Sequence, residues 1–295
     1  MGLRSRGEKA FAIFNYIFMT LIAFITIYPM WHVLMTSFSD PTQVFMHRGA
    51  YFWIRGTPQI RGYQLVFENP NILSGFQNTL IYVAAGSGVG MIMTILASYG
   101  LSRKGTYWNS KIMKFMVFTM FFHGGLIPFF IQMRNMGFLD TRWAVILPSF
   151  VSVMNIIIMR TSFVAIPDSL VESAKLDGAS ELRIVTSIVI PVSKATIAVI
   201  ALFYTVGHWN AWFNAAIFLN DRSLWPIQLI LREVLLQGDT SAMVDIGAVG
   251  QAGIERYRLL VRYSTIVVST VPILMIYPFL QKYFVSGVMI GSLKE

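Results

Sequence analysis

The sequence predicts an all-α integral membrane protein with six transmembrane helices. Of its 295 residues 55% are hydrophobic and only 13% charged, and the mean hydropathy is positive, outside the ordinary soluble range. Six stretches carry about 20 apolar residues each, the length a helix needs to cross hydrocarbon. Not one Asp or Glu lies inside any of the six.

The spans read Phe11 to Met35, Phe76 to Leu101, Lys111 to Met133, Trp143 to Phe163, Ala195 to Asn214 and Arg262 to Gln281. Residues 1–10 form a tail ahead of the first. That span is too long for a secretion signal and lacks a small-residue cleavage pattern close behind it, so it reads as an anchor. Residues 11–75 hold this span and a loop with turn chemistry at Asp40-Pro41, Gly56-Thr57-Pro58 and Asn69-Pro70. Residues 76–281 form a five-helix core, and 282–295 a second tail. Pro29, Pro128, Pro148, Pro272 and Pro278 lie in or near spans and predict kinks. Gly86, Gly88 and Gly90 predict a small-residue face for close helix packing.

Basic residues cluster at alternate connections: Arg4, Arg6 and Lys9, then Arg103, Lys104, Lys111 and Lys114, then Arg160, Lys175, Arg183 and Lys194. Those loops are expected in the cytoplasm, with both termini. The loops Ser39 to Gly75 and Asn220 to Val261 then face outward. Within the second, LWPIQLILREVLL (Leu224 to Leu236) is amphipathic, suited to lying on the membrane or on a neighbouring subunit. His32 and His47 are expected to be solvated near the outer surface.

The fourth connection, residues 164–194, departs from the apolar pattern. Ser169 and Glu172 have capping-box spacing, Gly178 is a helix stop, and Ser180 with Glu181 can start a second helix that ends before Pro191. A short polar helix standing outside the bilayer is suited to touching a soluble partner.

Several classes are excluded. Cysteine is absent, so no disulfide or thiolate site exists. The chain lacks G-x-x-x-x-G-K-[ST], G-x-S-x-G and H-E-x-x-H, so it holds no phosphate cradle or hydrolase signature, and ATP-driven work must come from another polypeptide. The net charge of +9 comes from residues flanking spans and fits lipid headgroups, not nucleic acid. The 17 methionines are scattered, as core filling requires. What remains is a group of polar and aromatic residues within spans: His123, Asn155, His208, Trp209, Asn210 and Trp212. They read either as hydrogen bonds between helices or as a water-filled path, and rings beside amides are also what a sugar needs.

Glu172, Ala174, Gly178, Ile188, Ile190 and Pro191 match E-x-A-x3-G-x9-I-x-[LI]-P, which resembles the EAA loop of bacterial ABC importer permeases. Ser173 stands where that family prefers alanine. GVMIGSLKE (Gly287 to Glu295), QNTLIY (Gln77 to Tyr82) and GHWNAWF (Gly207 to Phe213) extend the likeness to the smaller, six-span permeases of the maltose-type carbohydrate class. The outer LWPIQLILREVL is similar to permeases for complex and uronic-acid oligosaccharides.

The resemblance implies a type I ABC importer permease fold with a cytoplasmic coupling helix, in the bacterial inner membrane. It implies a non-catalytic chain that binds no cofactor, with ATP and Mg in a partner ATPase. The implied partners are a second homologous permease, two ATPase copies and an extracytoplasmic solute-binding protein, with an oligosaccharide as cargo. It assigns Ser169, Leu170, Val171, Glu172, Ala174 and Gly178 to ATPase docking. The competing reading is a carrier driven by an ion gradient, with His123 and His208 as its proton relay.

Overall fold

The computed structural model describes residues 6–47, 49–105, 107–236 and 251–292, with side chains except at 6, 251–255, 276, 277 and 279–292. Arg4, Arg48, the 237–250 part of the outer loop and residues 293–295 of the closing motif lie outside the described residues, as do the side chains of the rest of that motif.

The chain divides into two compact units. Residues up to Pro70 with Leu231–Val271 form the first; Asn71–Ile230 and the residues from Pro272 onward form the second.

In the first unit, α1 (Arg6–Ser37) is one continuous helix whose apolar side chains are exposed along most of its length. Such a surface is stable in lipid and not in water. The following loop is built from the turn residues that predict it. Asp40 caps α2 (Pro41–Met46), its carboxylate accepting from Thr42 N at 2.7 Å, and Asp40 N donates to Arg55 O at 2.9 Å. His32 is not solvated as expected. The segment around Tyr51 folds back onto α1, so His32 Nδ1 accepts from Tyr51 N at 3.2 Å and its ring meets Tyr51 and Tyr263 edge-on. His47 is exposed. α3 (Arg61–Glu68) packs against the last helix, where a Cβ on Gly62 would stand 2.5 Å from Ser264 Oγ.

The second unit opens with α4 (Pro70–Ser102), continues through α5 (Asn109–Phe121), α6 (Leu126–Asn135), α7 (Trp143–Ile146, tightening into a 3-10 turn at Leu147–Ser149) and α8 (Val153–Val164), and reaches the short α9 (Asp168–Leu176). After α10 (Glu181–Ile184), a π-turn (Val185–Val189) and α11 (Ile190–Val192) come α12 (Lys194–Trp209), α13 (Phe213–Phe218) and α14 (Ile227–Leu236), whose residues from Leu231 on belong to the first unit. The chain closes with α15 (Gln251–Ser292).

Among the described residues three helices are long and apolar enough to cross a membrane: Gly7–Ser37, Pro70–Ser102 and Arg256–Met275. Three bent pairs raise the total to six if each is one span. Two of the breaks fall beside Pro128 and Pro148, where kinks are expected, and the third falls at Ser193. Asn109–Phe121 and Leu126–Asn135 meet at 110°. The cause is local: Gly125 has φ +85, closed to most side chains, and Pro128 brings no N–H to the turn that follows. At Pro148 the chain tightens and bends by 44°, and Ser152 Oγ caps the next helix. The fifth span bends by 89° at Ser193, just ahead of its expected start, and is interrupted again between Trp209 and Phe213.

Two expectations about amphipathic pieces also change. α14 does not lie free: Ile227, Leu229 and Ile230 are buried, Ile227 N donates to Thr79 Oγ1 at 2.9 Å, and Gly75 leaves room for Ile230. The helix after Ser180 runs through Pro191 to Val192. In the π-turn Ile190 N reaches back five residues to Val185 O, and this wider turn accommodates the proline.

Candidate functional site

α9 is nine residues of polar helix, and its ends explain its placement. The expected capping box is not formed. Pro167, with ψ 130, serves as the cap without a side-chain bond, and Ser169 falls inside the first turn. Asp168 takes the helix's first position, where its charge suits the exposed N–H groups. Lys104 Nζ lies 2.6 Å from Asp168 Oδ2. This hydrogen bond holds the Asp168 carboxyl below the usual carboxylate range and raises Lys104.

At the other end Ala179 N donates to Ala174 O at 2.9 Å and Gly178 N to Lys175 O at 3.0 Å, the paired bonds of a Schellman stop. Gly178 has φ +78, and a Cβ there would meet nothing within 4 Å. Ser180 then caps α10 through Arg183 N, as its sequence position predicts.

The faces of α9 sort the residues assigned to docking. Val171, 5% exposed, packs with Phe163, Ile166, Ile184 and Val185, and Ala174 lies against the same cluster. Val171 therefore fixes the helix to its own chain and has no surface for a partner. Ser169, Leu170, Glu172 and Gly178 are exposed. Two further residues were not singled out in the sequence: Leu176, 90% exposed, and Leu182, 67% exposed. With Leu170 they put three exposed leucines around an otherwise polar loop, and the signal was legible as Leu176 between Lys175 and Asp177.

The candidate path residues fall in two places. His123 is exposed at the α5–α6 break. His208, 3% exposed, lies against Gly86, and a Cβ on that glycine would stand 2.3 Å from His208 Cε1. Its ring also stacks on Tyr204. Tyr204 is a hub absent from the sequence reading: its hydroxyl pairs with Thr94 Oγ1 at 2.7 Å and accepts from Ser152 N at 3.0 Å. Ser152 Oγ in turn accepts from the backbone N of buried Asn155. Trp209 meets Phe76, Asn210 caps α12, and Trp212 meets Phe213 edge-on. Tyr204 thus joins His208, Thr94 and Ser152 into one polar seam against the Gly86 face of α4, with Asn155 tied to it through its backbone N–H and His123 apart. Gly90 belongs to that face, where a Cβ would stand 2.6 Å from Phe150 O; Gly88 points away into open space, contrary to expectation.

Beyond the tryptophans the backbone 218–227 is held by side chains. Asp140, at φ +58, accepts from Asn220 N at 2.9 Å and Asp221 N at 2.8 Å. Tyr82 donates to Leu224 O, Asn78 to Ser223 O, and Arg142 to Asn78 Oδ1. Asp140→Ala removes two charge-assisted hydrogen bonds, both accepted by Oδ1, and should destabilise this corner by about 1–2 kcal/mol. Faster amide exchange at Asn220 and Asp221, with the rest of the chain unchanged, is the expected readout.

No protein-family model matches the chain. It is similar to the polygalacturonan/rhamnogalacturonan transport system permease protein YtcP of Bacillus subtilis, 36% identical over 292 residues that cover 97% of this chain and 99% of that one. Protein LplC of the same bacterium is 34% identical over 290 residues, covering 98% and 97%. Among solved structures, a chain of a bacterial ABC transporter involved in the import of the acidic polysaccharide alginate matches with a TM-score of 0.86 and 28% identity, over 96% of this chain and 100% of the other.

Proposed function

The chain belongs to the sugar-transport permeases of ATP-binding-cassette importers, and on that premise we propose that it is the non-catalytic permease subunit of an importer carrying an acidic oligosaccharide across a bacterial inner membrane. The observation that carries this reading is α9: a capped polar helix pinned to its own chain by Val171 while Leu170, Glu172, Leu176 and Gly178 stand uncovered. That is the form of a knob for a groove on a soluble motor.

In this reading two ATPase subunits hold ATP and Mg, and their closure moves the coupling helices of this chain and of a second, homologous permease. The cavity between the permeases then opens alternately inward and outward, and an extracytoplasmic solute-binding protein delivers the sugar. Both termini and α9 face the cytoplasm. Asn210 and Trp212 face this chain's share of the path, and His208, Asn155 and Trp209, buried in this state, join them when the cavity opens.

An acidic cargo is favoured by the relatives, since galacturonan and alginate are both polyanions. Basic residues in segments we place outside add to it: Arg55 rests over the Tyr51 ring, and Arg256 reaches Thr42, while Arg61 is partly neutralised by Glu68 at 3.2 Å. The ion-gradient carrier is not favoured, because the relatives are ABC permeases and His123 stands apart from the seam that holds His208.

Purification through a tag on this chain tests the proposal. Co-elution of an ATPase and a second permease is expected. A chain that elutes alone from gently solubilised membranes would overturn it.

A further inference from the structure

α9 is joined by backbone to α8 through 165–167 and to α10 through 177–180, but it has no such connection to α4. Motion delivered to α9 reaches α4 only through side chains. This matters because α4 carries Gly86, against which His208 lies, and Thr94, which pairs with Tyr204.

Direct contacts bridge the gap at both ends of α9. At its start Lys104, just beyond α4, pairs with Asp168, and Glu172 one turn on adds to the field on the ammonium. At its end the Tyr99 hydroxyl donates to Glu181 Oε2, while Glu181 Oε1 takes Lys175 Nζ at 2.7 Å. The last turn of α9, the first of α10 and the last of α4 are thereby tied through one carboxylate. The buried Tyr99 ring belongs to the same apolar cluster as Val171, Ile184 and Val185, and the Arg103 guanidinium covers it at 4.8 Å. Tyr99 is thus both an apolar knob and a hydrogen-bond donor. The Lys104 pair is exposed and water competes for both partners, so it supports the clamp without forming it.

We propose that Tyr99, with Lys104 in support, is a positioning residue that makes α4 follow the coupling helix, so that ATP-driven movement reaches the polar seam instead of dissipating in a hinge at 165–167. This rests on the importer reading. Without the clamp the motor still docks and still turns over, but α4 lags.

The test is the ratio of oligosaccharide taken up to ATP hydrolysed, measured in vesicles holding the whole importer and its binding protein. For Tyr99→Phe combined with Lys104→Gln the ATPase should co-purify at parental stoichiometry and hydrolysis should continue. Uptake per ATP should fall about five-fold, within the range that mutations along a coupling route produce. Tyr99→Phe alone should account for most of the fall. Lys104→Asp should lower the ratio, and adding Asp168→Lys should recover it. A parental ratio in the double variant would overturn the proposal, as would loss of the ATPase, which would make Tyr99 a docking or folding residue. If the parent complex itself retains no ATPase, the importer reading falls, and the clamp with it.

Discussion

Exchanging Gly178 for tryptophan should abolish ATP-dependent uptake while the chain still folds and inserts. Two costs must be separated. The first is internal: Gly178 sits at φ +78, where a residue with a Cβ loses about 1–2 kcal/mol. Among the described residues a Cβ there meets no atom within 4 Å. The second cost is external. The Schellman turn lies beside Leu176, and if this tip docks in a groove on the ATPase as proposed, the groove has no room for an indole. Gly178→Ala carries the same backbone strain with little bulk, so it separates the two. Alanine should retain most ATPase binding and tryptophan should release the enzyme. Tryptophan protein that co-purifies with the ATPase at parental yield would count heavily against docking at this turn.

Valine at position 86 should be far more damaging than valine at position 88. Both are glycines of α4, and both gain similarly in helix propensity. At 86 the new Cβ would stand 2.3 Å from His208 Cε1, with the Tyr204 ring stacked on that imidazole. The histidine must move, and overpacking of this kind costs about 1–3 kcal/mol. At 88 a Cβ meets nothing within 4 Å. Thermal melting of the two purified variants in detergent should show a clear loss for Gly86→Val and little change for Gly88→Val. Adding His208→Ala to Gly86→Val should recover part of the loss. Equal melting of the two would mean that α4 and α12 are not in contact through this pair.

The all-helical class was legible because apolar stretches about 20 residues long leave a composition signal suited to crossing lipid. The loop that carries α9 was legible because its polar residues interrupt that signal, and because Gly178 and Ser180 mark a stop and a start that the structure reproduces. The breaks were harder to read. A glycine pair beside Pro128 marks a weak point, but residue types alone do not give the angle of 110° at which the two helices meet. Facing was hidden as well. Spacing put Gly86, Gly88 and Gly90 in one run, whereas the helical period places only the first and last on one side. Likewise the docking assignment took Val171 along with its neighbours, because a motif records sequence order and not which face turns inward. Tyr204 and Tyr99 were invisible for a different reason: each bonds to a partner distant in sequence, Tyr204 to Thr94 and Tyr99 to Glu181.

The central claim is that force enters this chain from a separate ATPase, and uptake in reconstituted vesicles tests it most directly. Vesicles holding the permease pair, with binding protein and an acidic oligosaccharide outside, should accumulate sugar only when the ATPase and ATP are supplied at the face that exposes α9. Accumulation by this chain without an ATPase, driven by a pH gradient across the same vesicles, would contradict the account.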